Sequence, residues 1–432
     1  MDSVATVAIQ TPMQPGRLRT LQALGVLCGF AGGAWLGGAE APIKIVSRGV
    51  SPITVSLVMV AGVFLARWSI PALVRGTSYV REDVRQARHL IIWAVLAGCM
   101  WAVANTMTIC AIRDVGLSIA FPLWNTNSLL GIFWGFLLFN ELQNAGWRRW
   151  LGVLGGALVM FVGAILLALA SSAQASSRQA TVGVIAALGA GVLWGTMYIP
   201  YRKAYLTGMN PLSFVTFFTV GELATMTTLA LIYRGAGPLW HEIVGARAVL
   251  FWLMLGGFLW VIGDLFQQYA AKYVGISRGV PLSNTNQVWG LLWGILVFHE
   301  LQGASQKVYA QVIGGSILMA LGAVAIALSS ATGREHSRWQ AAAERESKRY
   351  GIKNAYVRAS MEGRETGAGI SHQTFLDWLL VAGVTAIFAA LAAMARIPSV
   401  DINLKWAALV SVAMLLLLVG CATALWRTTR FN

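Results

Sequence analysis

Along its whole length the chain alternates long apolar stretches with short polar ones. The stretches run over 21–38, 52–74, 90–110, 116–139, 151–170, 182–200, 211–233, 248–270, 275–298, 308–328, 375–395 and 404–426. Each is close to the roughly 20 residues a helix needs to cross about 30 Å of hydrocarbon. The pattern predicts an all-α integral membrane protein of about twelve transmembrane helices. The first stretch is the shortest, is rich in glycine and follows Arg17 and Arg19, so by itself it reads like a signal peptide.

A repeat argues that this stretch is a retained helix. Residues 116–143 and 275–302 are identical at about 15 of 28 positions with a constant offset of 159. The offset extends outward: Trp35 matches Trp194, Lys44 matches Lys203, Pro52 matches Pro211, Trp101 matches Trp260 and Met160 matches Met319. Only Pro42 and Pro200 need a shift of one residue. Each copy holds five stretches. Five is odd, so the second copy enters the membrane upside down, the arrangement of secondary transporters with a site near the midplane. The expected organisation is a cytoplasmic segment 1–20, a five-helix repeat 21–170, an inverted repeat 182–330, a polar cytoplasmic segment 331–374, and an accessory hairpin with the C-terminus in 375–432. This is a ten-helix inverted 5+5 bundle plus two helices. The run Arg338–Tyr350 could form a surface helix.

Composition agrees with a membrane chain: 57% of residues are hydrophobic and 11% charged, where soluble chains carry roughly 25% charged residues. The net charge of +15 suggests nucleic acid only until the basic residues are placed. With the N-terminus inside, about 22 of the 32 Lys and Arg fall on inside segments and about 9 on outside ones, as cytoplasmic retention of basic residues requires. Arg75, Arg81, Arg85 and Arg88 form the densest short inside loop. Both termini are then cytoplasmic, in a plasma (inner) membrane, and no nucleic-acid partner is expected. The four cysteines lie in apolar stretches without metal or disulfide spacing. The five histidines form no cluster, and no nucleotide-binding, hydrolase or zinc motif is present. No enzyme activity, metal or cofactor is expected.

Polar residues inside the stretches are the candidates for chemistry. Asn125 and Asn127 lie near the middle of the fourth stretch, Asn284 and Asn286 near the middle of the ninth, with Pro122 and Pro281 three residues before each set. Amides at that depth need partners, because lipid offers none. They are expected to bind a solute or to join the two halves. Asn105 is a further amide candidate. Trp35 and Trp194 lie beside G-x-x-x-G patterns in the first helix of each copy, where an indole could stack on a sugar ring or simply pack. Tyr198 could add a hydroxyl, and Arg202 and Lys203 mark the end of the sixth helix. Glu222, Asp264 and Glu40 face Val63, Asn105 and Ile199 across the repeat. Carboxylates found in one copy only are candidates for carrying a coupling proton, or else are satisfied by a neighbour such as Gln267 or Gln268. Glu141 and Glu300 end the fourth and ninth stretches and read as anchors.

The motifs Gly195-Thr196 with Ile199-Pro200-Tyr201-Arg202-Lys203, Gly275-Ile276-Ser277-Arg278-Gly279-Val280-Pro281 and Trp289-Gly290 with Phe298-His299-Glu300 carry a resemblance over 21–330. The chain resembles the drug/metabolite transporter superfamily, and within it the glucose/ribose porter group of sugar permeases. The resemblance implies sugar uptake coupled to protons. The two helices after 375 depart from it and leave homodimerisation open. The leading expectation is a secondary carrier of a monosaccharide or similar neutral solute, with a proton or another ion as coupling partner. The alternatives are an exporter of amphipathic cations and a membrane sensor or assembly subunit.

Overall fold

The computed structural model describes residues 15–46, 49–78, 80, 84–85, 88–139, 146–174, 177–329, 333–363, 373–396 and 401–431. Glu141 and Arg81 lie outside them. Among the described residues, ten helices are long and apolar enough to cross a membrane: the first span Pro15–Ala39, which continues as Ala41–Val46, then Pro52–Val74, Leu90–Val115, Trp147–Gln174, Ser177–Leu206, Pro211–Arg234, Leu250–Val274, Gln306–Leu328, Phe375–Met394 and Leu404–Thr429. The protein is an all-α, multi-pass integral membrane protein.

The other two stretches are broken helices. The fourth span is Leu117–Trp124 followed by Asn127–Phe139. The ninth is Ile276–Ser283 followed by Asn286–Leu291, which runs on as a π-helical turn, Leu292–Val297. Both interruptions fall on the Asn-Thr pair at mid-span. Irregular backbone at such depth persists only where protein or a cavity surrounds it. The sequence pattern therefore counts the spans but hides the breaks, because asparagine and threonine do not interrupt an apolar run.

Helix starts follow local chemistry. Pro52 and Pro211 occupy the first turn of their helices, where a missing N–H costs nothing. The Asn210 side chain accepts from the Leu212 N–H at 2.8 Å, and the Ser51 hydroxyl accepts from the Thr54 N–H at 3.3 Å. Glu242, on the short helix Ala236–Gly245, adds a carboxylate at the same N-terminus. It accepts from the Ser51 N–H at 2.6 Å, the Thr54 hydroxyl at 2.8 Å and the Arg234 guanidinium at 2.7 Å. Burial pushes its carboxyl up, but these bonds outweigh burial and hold it below the usual carboxylate range.

Four glycines let spans two, three, seven and eight cross closely. A Cβ on Gly62 would come within 2.0 Å of the Met254 carbonyl, on Gly221 within 2.0 Å of Val95, on Gly98 within 2.0 Å of Phe218, and on Gly257 within 2.0 Å of Met59. These form two pairs of contacts at the 159-residue offset: Gly62–Met254 with Gly221–Val95, and Gly98–Phe218 with Gly257–Met59. Gly163 on Gly315 and Gly322 on Gly156 repeat the relation in spans five and ten. Gly257→Ala forces spans two and eight apart, and overpacking of this kind costs about 1–3 kcal/mol. The expected result is a lower melting temperature in detergent. A variant that melts with the wild type would show that the spans do not cross this closely.

The last hundred residues pack on one side and one end of the bundle. Span eleven lies against span two, where the Thr77 hydroxyl donates to Asp377 at 2.6 Å. Span twelve lies against span one, where the Cys28 and Cys421 sulfurs are 3.6 Å apart. The polar segment forms the helices Gly333–Tyr350 and Asn354–Met361. Tyr350 stacks on His89 at 3.7 Å between ring centres, Ser360 donates to the Gly208 carbonyl at 2.6 Å, and Glu346 lies 3.8 Å from Lys203. Arg17 ties the start of span one to the carbonyls of Glu362, Gly363 and Thr428.

Candidate functional site

The two breaks meet each other. Asn284 donates through Nδ2 to the Asn125 carbonyl at 2.9 Å, to Asn127 Oδ1 at 2.9 Å, and to the Ser128 hydroxyl. Asn125 donates in return to Asn286 Oδ1 and, at 3.4 Å, to the Asn284 carbonyl. The carbonyls that a broken helix leaves open are thus satisfied by amides of the opposite break, as a dry interior demands. Trp101 and Trp260, also at the 159 offset, pack edge to face at 4.6 Å between ring centres.

Beside this junction lies a cavity with about 400 Å³ of space free of atoms, its open mouth included. All four asparagines line it. One wall is aromatic, with Trp194 edge to face against Trp124 at 5.6 Å, and Trp260 also lines it. Tyr198 lines it too, its hydroxyl accepting from Asn127 Nδ2 at 3.2 Å and Gln267 Nε2 at 3.4 Å. Glu40 and Leu36 come from span one.

Three buried polar atoms of this lining have no hydrogen-bond partner among the described residues: Glu40 Oε2, Asn125 Oδ1 and Trp194 Nε1. Two accept and one donates. Buried polar groups are otherwise paired in folded proteins, and each exception calls for a reason.

Trp35 is not part of the cavity. It faces span twelve, where its Nε1 donates to the Met414 carbonyl at 3.1 Å. The reason is a one-residue slip. Gly37 packs on Asn286 and Trp289 as Gly195 packs on Asn127 and Leu130, a relation at offset 158. One residue turns a helix by about 100°, so the position equivalent to Trp194 is Leu36, and Tyr198 is equivalent to Glu40. Asn105 is also outside the lining. It is buried and donates to the Ser56 hydroxyl at 2.9 Å.

Glu222 and Asp264 form a second, separate compartment behind Trp260, and both are paired with Arg67. The guanidinium is 3.2 Å from Glu222 Oε2 and 3.0 Å from Asp264 Oδ2, and all three side chains are fully buried. Its Cζ lies 4.2 Å above the centre of the Phe218 ring and 5.5 Å from that of Trp260. Tyr201 donates to Asp264 at 3.2 Å and Gln268 donates to it at 2.6 Å. The positions at the 159 offset are Met226, Val63 and Asn105, all uncharged, and there Thr106 contacts the Met226 sulfur at 3.4 Å. Arg67 escaped the sequence reading. The signal was present: Arg278 and Lys405 lie within a turn of the start of their stretches, whereas Arg67 lies well inside its own, and a cation at that depth is as costly as an acid.

A model of the sugar transport protein family matches residues 69–170 and 184–353. The chain belongs to that family. Bacterial proteins named "Putative sugar uptake protein" are similar to it. One from Listeria innocua is 24% identical over 238 residues, 54% of this chain and 77% of its own. One from Lactiplantibacillus plantarum is 27% identical over 244 residues, 56% and 80% of the two chains. One from Streptococcus pyogenes is 42% identical over 78 residues, 17% of this chain and 26% of its own. The chain is a transporter-family membrane protein, and the cavity of its bundle lies beside the two breaks.

Proposed function

We propose that the protein carries a monosaccharide or similar neutral polyol across the bilayer by alternating access, with proton coupling. The observation that carries this reading is the trio of unpaired buried atoms, Glu40 Oε2, Asn125 Oδ1 and Trp194 Nε1, around one cavity at mid-span. A sugar supplies hydroxyls to two acceptors and a donor and can lie against an indole wall. The reading takes 21–170 and 182–330 as inverted repeats. The reciprocal contacts at offset 159 support that division, and the two halves rock about the junction of the breaks. Both termini then lie in the cytoplasm of a plasma-membrane protein.

The coupling site is the Arg67–Glu222–Asp264 compartment. One guanidinium balances one carboxylate, so the second carboxylate is neutral only when it holds a proton. A charge that appears and disappears beside Trp260, which lines the cavity, ties protonation to the solute site. Two conformations of different access would favour different protonation states, which is what coupling requires.

Purified protein in proteoliposomes is expected to concentrate a radiolabelled monosaccharide when an inward proton gradient is imposed, and to equilibrate it when the gradient is collapsed. Accumulation unaffected by collapse of the gradient would remove the proton from the mechanism. The unpaired carboxylate among tryptophans also favours a second reading, an amphipathic cation as solute. Uptake or efflux inhibited by organic amines and indifferent to sugars would establish it.

A further inference from the structure

We propose that Glu40 sets the solute specificity of the cavity, its carboxylate accepting hydrogen bonds from two adjacent hydroxyl groups of the solute, and that it does not carry the coupling proton. The proposal rests on the sugar reading above.

Glu40 sits at the turn between Pro15–Ala39 and Ala41–Val46. Pro42 has no N–H to give the helix, and its ring crowds the carbonyl four residues earlier, so the helix breaks two residues before it. The break brings Glu40 to the cavity wall while its own carbonyl still accepts from the Lys44 N–H at 3.0 Å. The side chain is 2% exposed, and its Oε2 has no partner among the described residues. The cations that might serve it are engaged elsewhere. Lys44 lies 3.1 Å from Glu300, and Arg67 is held by two other acids.

A buried carboxylate without a partner is costly, and hydroxyls of a bound solute would satisfy it. Glu40 is the only carboxylate among the described residues that line the cavity. Its two oxygens sit side by side on one carbon, a spacing that matches two neighbouring hydroxyls of a sugar ring, and hydrogen bonds to a charged acceptor are the stronger kind. The equivalent position in the other half is Tyr198, whose hydroxyl already accepts from Asn127 and Gln267. The cavity is therefore one-sided: an open acceptor pair on one wall, an engaged hydroxyl on the other. A ring held this way has one orientation. The charged compartment at Arg67 has its own acids, so proton binding there does not require Glu40.

The test uses the full chain in proteoliposomes with D-glucose, D-galactose and D-ribose, each ring-deoxy analogue of glucose, and glucosamine. Glu40→Gln keeps the shape and removes the charge. It is expected to raise KM by about ten- to a hundredfold, the worth of hydrogen bonds to a charged group, and to leave the accumulation ratio at saturating sugar unchanged. Two deoxy sugars lacking neighbouring hydroxyls should lose a similar factor with the wild type, and the variant should no longer distinguish them from glucose. If Glu40→Gln folds poorly, Glu40→Asp keeps the charge, and its altered ranking of the deoxy sugars carries the same test. A variant with normal KM that no longer accumulates sugar would make Glu40 the proton carrier and overturn the proposal. So would a wild type that prefers glucosamine to glucose in a Glu40-dependent way. Wild-type protein that moves none of the three sugars overturns the sugar reading and the proposal together. Wild-type uptake with an unchanged variant profile overturns the proposal alone.

Discussion

Arg67→Met alone is expected to prevent stable folding, while the triple variant Arg67→Met, Glu222→Val, Asp264→Asn folds, binds solute and no longer concentrates it. The single change leaves two fully buried carboxylates without their cation. Removing one partner from a buried charge group costs about 3–5 kcal/mol, a large part of the stability of any protein. The triple change substitutes the residues found at the offset of 159, Met226, Val63 and Asn105. These already pack without charge in the other half, where Asn105 donates to Ser56 at 2.9 Å. Exchanging a buried charge group for fitted neutral side chains is often neutral for stability, so the second compartment should pack as the first does. What it loses is the proton. Counterflow of sugar across proteoliposomes at equal pH should persist, and accumulation driven by a pH gradient should vanish. Continued accumulation by the triple variant would move coupling out of this compartment. A triple variant that melts as low as Arg67→Met would make the charges a requirement of the fold.

The same three residues mark how far the sequence could be read. Glu222 and Asp264 stand out because carboxylates are rare in apolar stretches, and their absence from the other copy singles them out. That they share one cation is a fact of packing: glycines 62 and 257 bring span two onto span eight, glycines 98 and 221 bring span three onto span seven, and no spacing along the chain reveals that Arg67 then meets both acids. The asparagines are legible in number and depth. Their roles are not, because whether an amide faces the opposite break or the cavity depends on where the helix stops. The misplacement of Trp35 has the plainest cause. The best alignment pairs it with Trp194, but the glycines beside them pack at an offset one residue shorter, and the resulting rotation sends Trp35 to span twelve. The presence of spans is written in hydropathy; the face that each residue presents is decided by contacts that hydropathy does not encode.

The asparagine junction yields the second large effect, and there the two halves should differ. Asn284→Ala removes the Nδ2 that serves the Asn125 carbonyl, Asn127 Oδ1 and the Ser128 hydroxyl. Each buried acceptor left open costs about 1–3 kcal/mol, and lipid cannot compensate. A loss on the order of 3 kcal/mol is expected, read as a clear fall in melting temperature in detergent with sugar absent. Asn125→Ala removes less of the scaffold, since its Oδ1 bonds nothing among the described residues, but it removes an open acceptor of a residue that lines the cavity. Its melting temperature should fall less, and its stabilisation by saturating sugar, which follows the ratio of ligand concentration to Kd, should shrink in step with a raised KM. The pair separates what the junction holds from what the cavity binds. Equal losses of stability in both variants, or a binding defect confined to Asn284→Ala, would mean that Asn125 is structural and that the solute meets the other wall.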